Sequence, residues 1–162
     1  MQAENGEPGV TAKTPDVSLR RYAAADEAAA IELWRRTWQA AYPGIDFGAR
    51  LDWWRARWRG ELVPSAEIML AVAGDELVGF VTVDARTGYL DQIVVATERW
   101  GSDTAAMLLT EAKRVSPAGL DLDVNTDNNR AIRFYTKQRF VVSGAGTNPM
   151  SGKPVHRMSW RP

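Results

Sequence analysis

The period of the hydrophobic pattern changes several times along the chain, and this alternation constrains the fold more than any other feature. A strand-like segment at 17–22 precedes two stretches with helical spacing, the first of which carries Ile31, Trp34 and Trp38. Three strand-like segments, a helix, a strand, a short helix and two final strands follow in that order, and we expect a Gly-rich loop after Ser143 between the last two strands. One mixed sheet flanked by helices is the simplest way to bury these apolar faces, so we predict an α/β fold.

The chain divides into a short polar tail and one domain. We assign residues 1–16, which are rich in Gly and Pro, to a disordered N-terminal tail, and residues 17–162 to a single domain. The tail lacks the basic start and the apolar stretch of a secretory signal. No run of about 18 apolar residues occurs, which excludes a membrane-spanning helix. We therefore expect a cytoplasmic protein without a membrane partner.

Composition removes several classes of active site. The chain has no cysteine, so disulfides, thiolate metal sites and cysteine nucleophiles are excluded, and we expect no metal. His156 is the only histidine, and no Gly-x-Ser-x-Gly elbow accompanies it, which argues against Ser-His-Asp hydrolysis. Twenty basic residues balance twenty acidic ones, so unselective attraction to nucleic acid is not expected.

A strand that leads through a short loop into a helix is the first candidate binding feature. The run Ile93, Val94 and Val95 is typical of a strand covered on both faces, and the loop that follows contains Gly101. The start of a helix presents free N–H groups and the positive end of the helix dipole, and phosphate groups bind there. An ordinary turn is the alternative, because the loop has neither a dinucleotide-binding nor an NTPase fingerprint.

A polar segment that leads into a short helix is the second candidate feature. We expect Asp127 to cap a helix that ends near Gln138, and Tyr135 lies two turns into it. Most tyrosines at this depth are core residues whose hydroxyl reaches water, so a structural role is the alternative to a catalytic one.

Taken together, these segments resemble the GNAT superfamily of N-acetyltransferases. The family's pattern Gln/Arg-x-x-Gly-x-Gly/Ala corresponds here to Trp100-Gly101-Ser102-Asp103-Thr104-Ala105. Its second pattern, Asn-x-x-Ala-x-x-Phe/Tyr-Tyr-x-x-x-Gly-Phe, corresponds to the segment from Asn128 to Phe140. The resemblance extends from residue 17 to residue 161. It implies the GNAT-like acyl-CoA N-acyltransferase fold, a central mixed sheet of about six to seven strands with about four helices.

The resemblance also implies a reaction and a site. Acetyl-CoA would be the cosubstrate, and its acetyl group would pass directly to a primary amine of a small molecule or peptide. Tyr135 would protonate the departing CoA thiolate. The amine must also lose a proton, and Asp91, Asp121 and Asp123 are candidate bases by location, with His156 as a further candidate. A solvated or structural role is the alternative for each of the four. The implied cofactor-binding residues are Ile93, Val94, Val95, Trp100, Gly101, Ser102, Asp103, Thr104, Ala105 and Asn128.

Three positions depart from the family patterns. Trp100 replaces Gln or Arg, which matters little because backbone groups hold the phosphates. Arg139 replaces a glycine expected past the helix end, where the left-handed backbone favours glycine. Asp103 replaces a glycine beside the pyrophosphate, and its carboxylate should repel the phosphates unless its side chain points away.

Two other functions stay open at this point. A catalytically silent GNAT-like module would bind a ligand or partner without acetyl transfer, and Asp103 favours it. A nucleic-acid-binding domain has zero net charge against it. The basic residues that favour such a domain are Arg35, Arg36, Arg50, Arg55, Arg57 and Arg59. Trp53 lies off the core stripe that carries Trp58, so it could line an acceptor pocket, while core packing or a homodimer contact explains it equally well.

Overall fold

The computed structural model of the protein describes residues 16–162, so the tail expected at residues 1–16 lies outside the described residues except for Asp16. The strands are β1 (Val17–Arg21), β2 (Glu67–Ala73), β3 (Glu76–Asp84), β4 (Tyr89–Val95), β5 (Leu120–Asn125), β6 (Val141–Thr147) and β7 (Pro154–Trp160). The main helices are α1 (Glu27–Ala41), α2 (Leu51–Arg57), α3 (Thr104–Val115) and α4 (Asn129–Lys137). A π-helical segment, Trp58–Leu62, and a last turn, Val63–Ser65, extend α2.

All seven strands belong to one sheet, in the order β1-β2-β3-β4-β5-β7-β6. Every neighbouring pair is antiparallel except β4 and β5, which are parallel. The predicted mixed sheet with flanking helices is therefore confirmed, and so is the order of its elements. Within residues 16–162, no helix has both the length and the apolarity needed to cross a bilayer.

Helices cover both faces of the sheet, as two neighbouring residues of β3 demonstrate. A Cβ atom at Gly79 would lie 3.0 Å from Leu108 Cδ1 of α3, so the glycine permits close packing of that helix. The next side chain, Phe80, stacks on Trp58 with 5.3 Å between ring centroids. Successive strand residues point to opposite faces, so α3 and the extension of α2 lie on opposite sides of the sheet.

The aromatic residues of α1 and α2 form the core on one of these faces. Trp34 stacks on Trp54 at 4.4 Å between centroids and meets the edge of Phe47 at 5.6 Å. Trp58 is fully buried, which confirms its predicted place in the core stripe. Trp53 is 47% exposed, in keeping with its position off that stripe. Each buried aromatic side chain stabilises the fold by roughly 1.5–3 kcal/mol, so this cluster anchors both helices to the sheet.

The sheet opens between its two parallel strands. β4 and β5 are paired at one position, Tyr89 with Asp121, and they diverge beyond it. β4 remains paired with β3 on its other edge, where the register shifts at Asp91, the extra residue of a β-bulge. The edge of β4 that faces β5 is consequently free of strand partners over residues 90–95, and this gap positions the site described below.

Two local expectations were wrong in detail. Asn128, not Asp127, caps α4: its Oδ1 accepts the amide N–H of Ala131 at 3.2 Å. Asp127 instead accepts a hydrogen bond from the Tyr42 hydroxyl at 3.0 Å. The Gly-rich segment after Ser143, which we expected to be a loop, continues β6 to residue 147. Antiparallel pairing with β7 uses the backbone alone, so glycines do not prevent it.

Candidate active site

A cavity of about 940 Å³ occupies the gap between β4 and β5. Its wall is built by α1, α2 and the loop between them, β4, the loop after β4, the start of α3, β5, α4 and the loop between β6 and β7. The structure places all predicted site residues on this wall except Asp103 and Thr104. Those on the wall are Tyr135, Asp91, Ile93, Val94, Val95, Trp100, Gly101, Ser102, Ala105 and Asn128.

The open edge of β4 presents backbone groups to the cavity. The amide of Ala96 donates to Val78 O at 2.8 Å, and Val94 O lies beside Gly79, so these two residues direct their backbone to β3. Because backbone direction alternates along a strand, Ile93 and Val95 direct their N–H and C=O groups to the gap. Such an edge can pair with an extended ligand, and Val94 contributes to the wall without offering its backbone.

Trp100 occupies one of the backbone groups of this edge. Its indole Nε1 donates to Val95 O at 2.9 Å, so the carbonyl of Val95 already has a partner. The guanidinium of Arg130 lies 3.8 Å from the centroid of the Trp100 ring, a stacked cation–π contact. Trp100 therefore joins the end of β4 to α4, a role that the family pattern does not indicate.

The turn before α3 has the geometry of an anion site. Gly101 has φ +83°, which favours glycine, and Thr104 N donates to Ser102 Oγ at 3.3 Å. The first amides of α3, including that of Ala105, have no acceptor within the helix. Asp103 is exposed and lies off the cavity wall, so its carboxylate faces solvent and not the interior of the cavity.

Basic residues on α4 complement this turn and were not identified from the sequence. Arg130, Arg133 and Lys137 line the cavity at spacings of three and four residues, which places them on one helix face. Within residues 16–162, none of the three lies within salt-bridge distance of a carboxylate. Their i, i+3, i+7 spacing is the sequence signal that could have found them. They give this end of the cavity a positive charge.

Tyr135 lies deep in the cavity wall. Its ring is 6% exposed and packs against Phe134 and Phe140 at 5.4 and 5.5 Å between centroids. Burial raises the pKa of Tyr135 well above its usual value, and the positive charge of Arg130 only partly opposes this effect. Because the phenol stays protonated at neutral pH, it can donate a proton or a hydrogen bond to a group in the cavity.

The carboxylates proposed as bases are all ion-paired. Asp91 is on the cavity wall, and its oxygens accept from Arg57 Nη1 at 2.8 Å and Nη2 at 2.5 Å. Asp123, also on the wall, accepts from the Tyr89 hydroxyl at 2.9 Å and from Arg157 Nε at 2.9 Å. Asp121 pairs with Arg161 and lies off the wall, as does His156.

A hydrogen-bond network joins α1 to β5 and the β6–β7 loop at the other end of the cavity. The Tyr42 hydroxyl accepts from Asn125 Nδ2 at 3.0 Å and donates to Asp127. Lys153 Nζ binds the second oxygen of Asp127 at 3.1 Å, and these two hydrogen bonds hold the pKa of Asp127 below its usual value. Hydrogen-bonded partners in this network are up to 85 positions apart in the chain, so no local pattern indicates the network.

Comparisons with known proteins show a matching family and two similar relatives. Residues 28–140 match the model of the acetyltransferase (GNAT) family. Two relatives are named peptidyl-lysine N-acetyltransferase YjaB. The protein from Salmonella typhimurium is 27% identical over 139 residues, covering 85% of this chain and 92% of the relative. The protein from Escherichia coli is 26% identical over 146 residues, covering 85% of this chain and 91% of the relative.

Two solved structures share the fold. The solution structure of apo-form YjaB from Escherichia coli has a TM-score of 0.73 at 22% identity, covering 90% of this chain and 97% of that one. The crystal structure of PaiA N-acetyltransferase from Thermoplasma acidophilum in complex with coenzyme A has a TM-score of 0.72 at 20% identity, covering 91% of this chain and 99% of that one.

Proposed function

The chain belongs to the acetyltransferase (GNAT) family, and from that premise we propose that it transfers acetyl directly from acetyl-CoA to a primary amine of a small molecule or peptide. The observation that carries this proposal is the open edge of β4, which borders a cavity that also holds a buried, protonated phenol. The names of the YjaB relatives and the coenzyme A bound to PaiA support the same reaction class.

The residues present fit acetyl-CoA. Its extended pantetheine arm would pair with the backbone groups of Ile93 and the N–H of Val95 that face the gap, as an added strand does, while Trp100 binds the carbonyl of Val95. Its pyrophosphate would bind the amides of the turn at 100–105, where the first turn of α3 begins. The basic residues of α4 would complement the negative charge of the phosphates. Asn128 fixes the start of α4 through its bond to Ala131, and it would border the arm.

Acetyl transfer forms a bond from the amine nitrogen to the acyl carbon and breaks the bond from that carbon to sulfur. Tyr135 would donate its proton to the departing thiolate, because its raised pKa keeps the phenol protonated at neutral pH. Asp91 would accept the proton of the amine through water, although Arg57 already binds both its oxygens. The remaining acceleration would come from holding the amine and the acyl group together in one cavity.

Peptidyl-lysine is a second candidate acceptor, supported by the names of the two relatives. The cavity reaches the β6–β7 loop, where Pro149 and Met150 contribute to its wall, so a lysine side chain could enter from that surface. A free amine that is small enough to enter the cavity is the alternative.

Mass spectrometry of products, after incubation with acetyl-CoA and a panel of amines and lysine peptides, tests the function directly. Thermal melting provides an independent measure, since a ligand at 100 times its Kd stabilises the fold by about 2.7 kcal/mol. An acetylated product together with a melting shift supports the enzyme. A melting shift without any product would favour a catalytically silent binding module. The absence of a shift at millimolar acetyl-CoA would contradict the assignment of acetyl-CoA as cosubstrate.

A further inference from the structure

Four buried side-chain atoms in residues 16–162 have no hydrogen-bond partner, and all four belong to residues on the wall of the same cavity. They are Thr37 Oγ1, Arg50 Nη1, Trp54 Nε1 and Gln92 Oε1. Buried polar groups in native proteins are nearly always paired, so a cluster of exceptions indicates a ligand that completes them. Arg50 and Trp54 offer donors only, whereas Gln92 Oε1 is an acceptor.

Arg50 differs from the other arginines of the helical region between residues 27 and 62. The others each pair with a carboxylate: Arg35 with Glu32, Arg36 with Glu98, Arg55 with Asp52, Arg57 with Asp91 and Arg59 with Glu27. Arg50 has no such partner among the described residues, and its guanidinium lies 5.6 Å from the centroid of the Phe47 ring. A half-buried guanidinium beside aromatic rings binds a carboxylate strongly, often through two parallel hydrogen bonds.

Gln92 provides a complementary acceptor near the open edge of β4. Its Nε2 donates to Asp91 Oδ2 at 3.2 Å, which leaves Oε1 as the atom without a partner. Gln92 directly precedes Ile93, whose backbone faces the gap, so an amine bound by Gln92 would lie beside the open strand edge. The cavity wall that carries Arg50 and Gln92 also carries the Trp34–Trp54 stack and the exposed Trp53.

We propose that the acceptor is a small amine that also carries a carboxylate and an apolar or aromatic body. Arg50 binds the carboxylate, the tryptophans of α1 and α2 contact the body, and Gln92 receives the amine beside the open edge of β4. This inference rests on the proposed acetyl transfer and narrows its acceptor to a free amino acid or a related amino carboxylate. A lysine side chain within a peptide lacks the carboxylate that would meet Arg50.

Two matched pairs of probes, each differing in the carboxylate alone, test the inference. L-phenylalanine is compared with 2-phenylethylamine, and 4-(aminomethyl)benzoate with benzylamine, so that short and long separations of the two groups are both covered. In the wild type, kcat/KM for the carboxylated member of at least one pair should exceed that of its partner by about 10- to 100-fold. Arg50→Gln should abolish this preference by raising the KM for the carboxylated member of the pair.

Arg55→Gln is the matched control, because Arg55 belongs to the same helical region, pairs with Asp52 and lies off the cavity wall. It should retain the preference for the carboxylated probe. Equal rates for both members of each pair in the wild type would overturn the inference. So would an Arg50→Gln variant that loses activity on acid and amine alike, since Arg50 would then be a structural residue.

Failure of the reaction itself is distinguished by a binding measurement. If neither these probes nor a lysine peptide yields an acetylated product, the proposed function fails. Binding at the carboxylate site is then measured from the shift in melting temperature with N-acetyl-L-phenylalanine, in the wild type and in Arg50→Gln. A shift that the substitution abolishes supports the site, and the absence of a shift in the wild type contradicts it.

Discussion

Replacing Tyr135 by phenylalanine should remove the proton donor and leave its surroundings unchanged. The phenol makes no hydrogen bond to a residue in the described part of the chain, so no partner group loses a bond when the hydroxyl is removed. The ring keeps its contacts with Phe134 and Phe140. We therefore expect the free energy of unfolding to change by less than about 1 kcal/mol.

The effect on catalysis should be much larger. A general acid contributes about 10²- to 10⁴-fold, which corresponds to about 2.7–5.4 kcal/mol of activation free energy. Burial raises the pKa of Tyr135, so the acid remains protonated where an ordinary tyrosine begins to ionise. The wild-type kcat should consequently not fall through ionisation of Tyr135 up to about pH 10. Acetyl-CoA affinity should stay within about twofold, because the binding groups that we propose lie on the strand edge and in the turn before α3.

Single-turnover kinetics with preloaded acetyl-CoA would isolate the chemical step, and the Kd for acetyl-CoA would be measured by titration. Tyr89→Phe is the control, because Tyr89 is a second phenol on the cavity wall and burial raises its pKa as well. Its hydroxyl binds Asp123, so this variant should lose about 1 kcal/mol of stability and little turnover. Wild-type single-turnover rates in Tyr135→Phe would refute the role of Tyr135 as acid.

Arg130→Gln should raise the Kd for acetyl-CoA by about tenfold, whereas Arg114→Gln, which loses a surface pair with Glu111, should leave it unchanged in the same titration. Asp103→Asn should change that Kd by less than about threefold, because the carboxylate is exposed, and a large gain in affinity would contradict this orientation. Arg139 has φ +72°, so Arg139→Gly should raise the free energy of unfolding in urea by about 0.5–1 kcal/mol, and a loss of stability would refute the strain.

The order of elements could be predicted because each periodic apolar face is buried in the structure. In β5, Leu120, Leu122 and Val124 are buried, and the alternation with Asp121 and Asp123 reports the two faces of one strand. The end of β6 was missed because all seven of its residues are exposed, so hydrophobic periodicity carries no signal there. Its pairing with β7 depends on the backbone, which sequence patterns do not report.

The candidate site was predictable where its residues are adjacent in the chain and not where they are distant. The turn at 100–105 and the helix with Tyr135 follow from local motifs. The ion pair of Arg57 with Asp91 joins residues 34 positions apart, and it alters the surroundings of the residue proposed as base. The role that we propose for Arg50 depends on its lack of a carboxylate partner among residues 16–162, and the sequence of the six arginines in this helical region does not reveal which of them lacks one.

Only one paired position, between β4 and β5, joins the two parts of the sheet. One part contains β1 to β4, and the other contains β5, β7 and β6. A pantetheine arm bonded along β4 would add contacts between the two parts, so cosubstrate binding should stiffen the connection between them. Amide exchange in β5 and β7 should then slow when acetyl-CoA binds, while exchange in β2 stays constant. We therefore expect ordered addition, in which acetyl-CoA binds first and the amine then binds to the stiffened site.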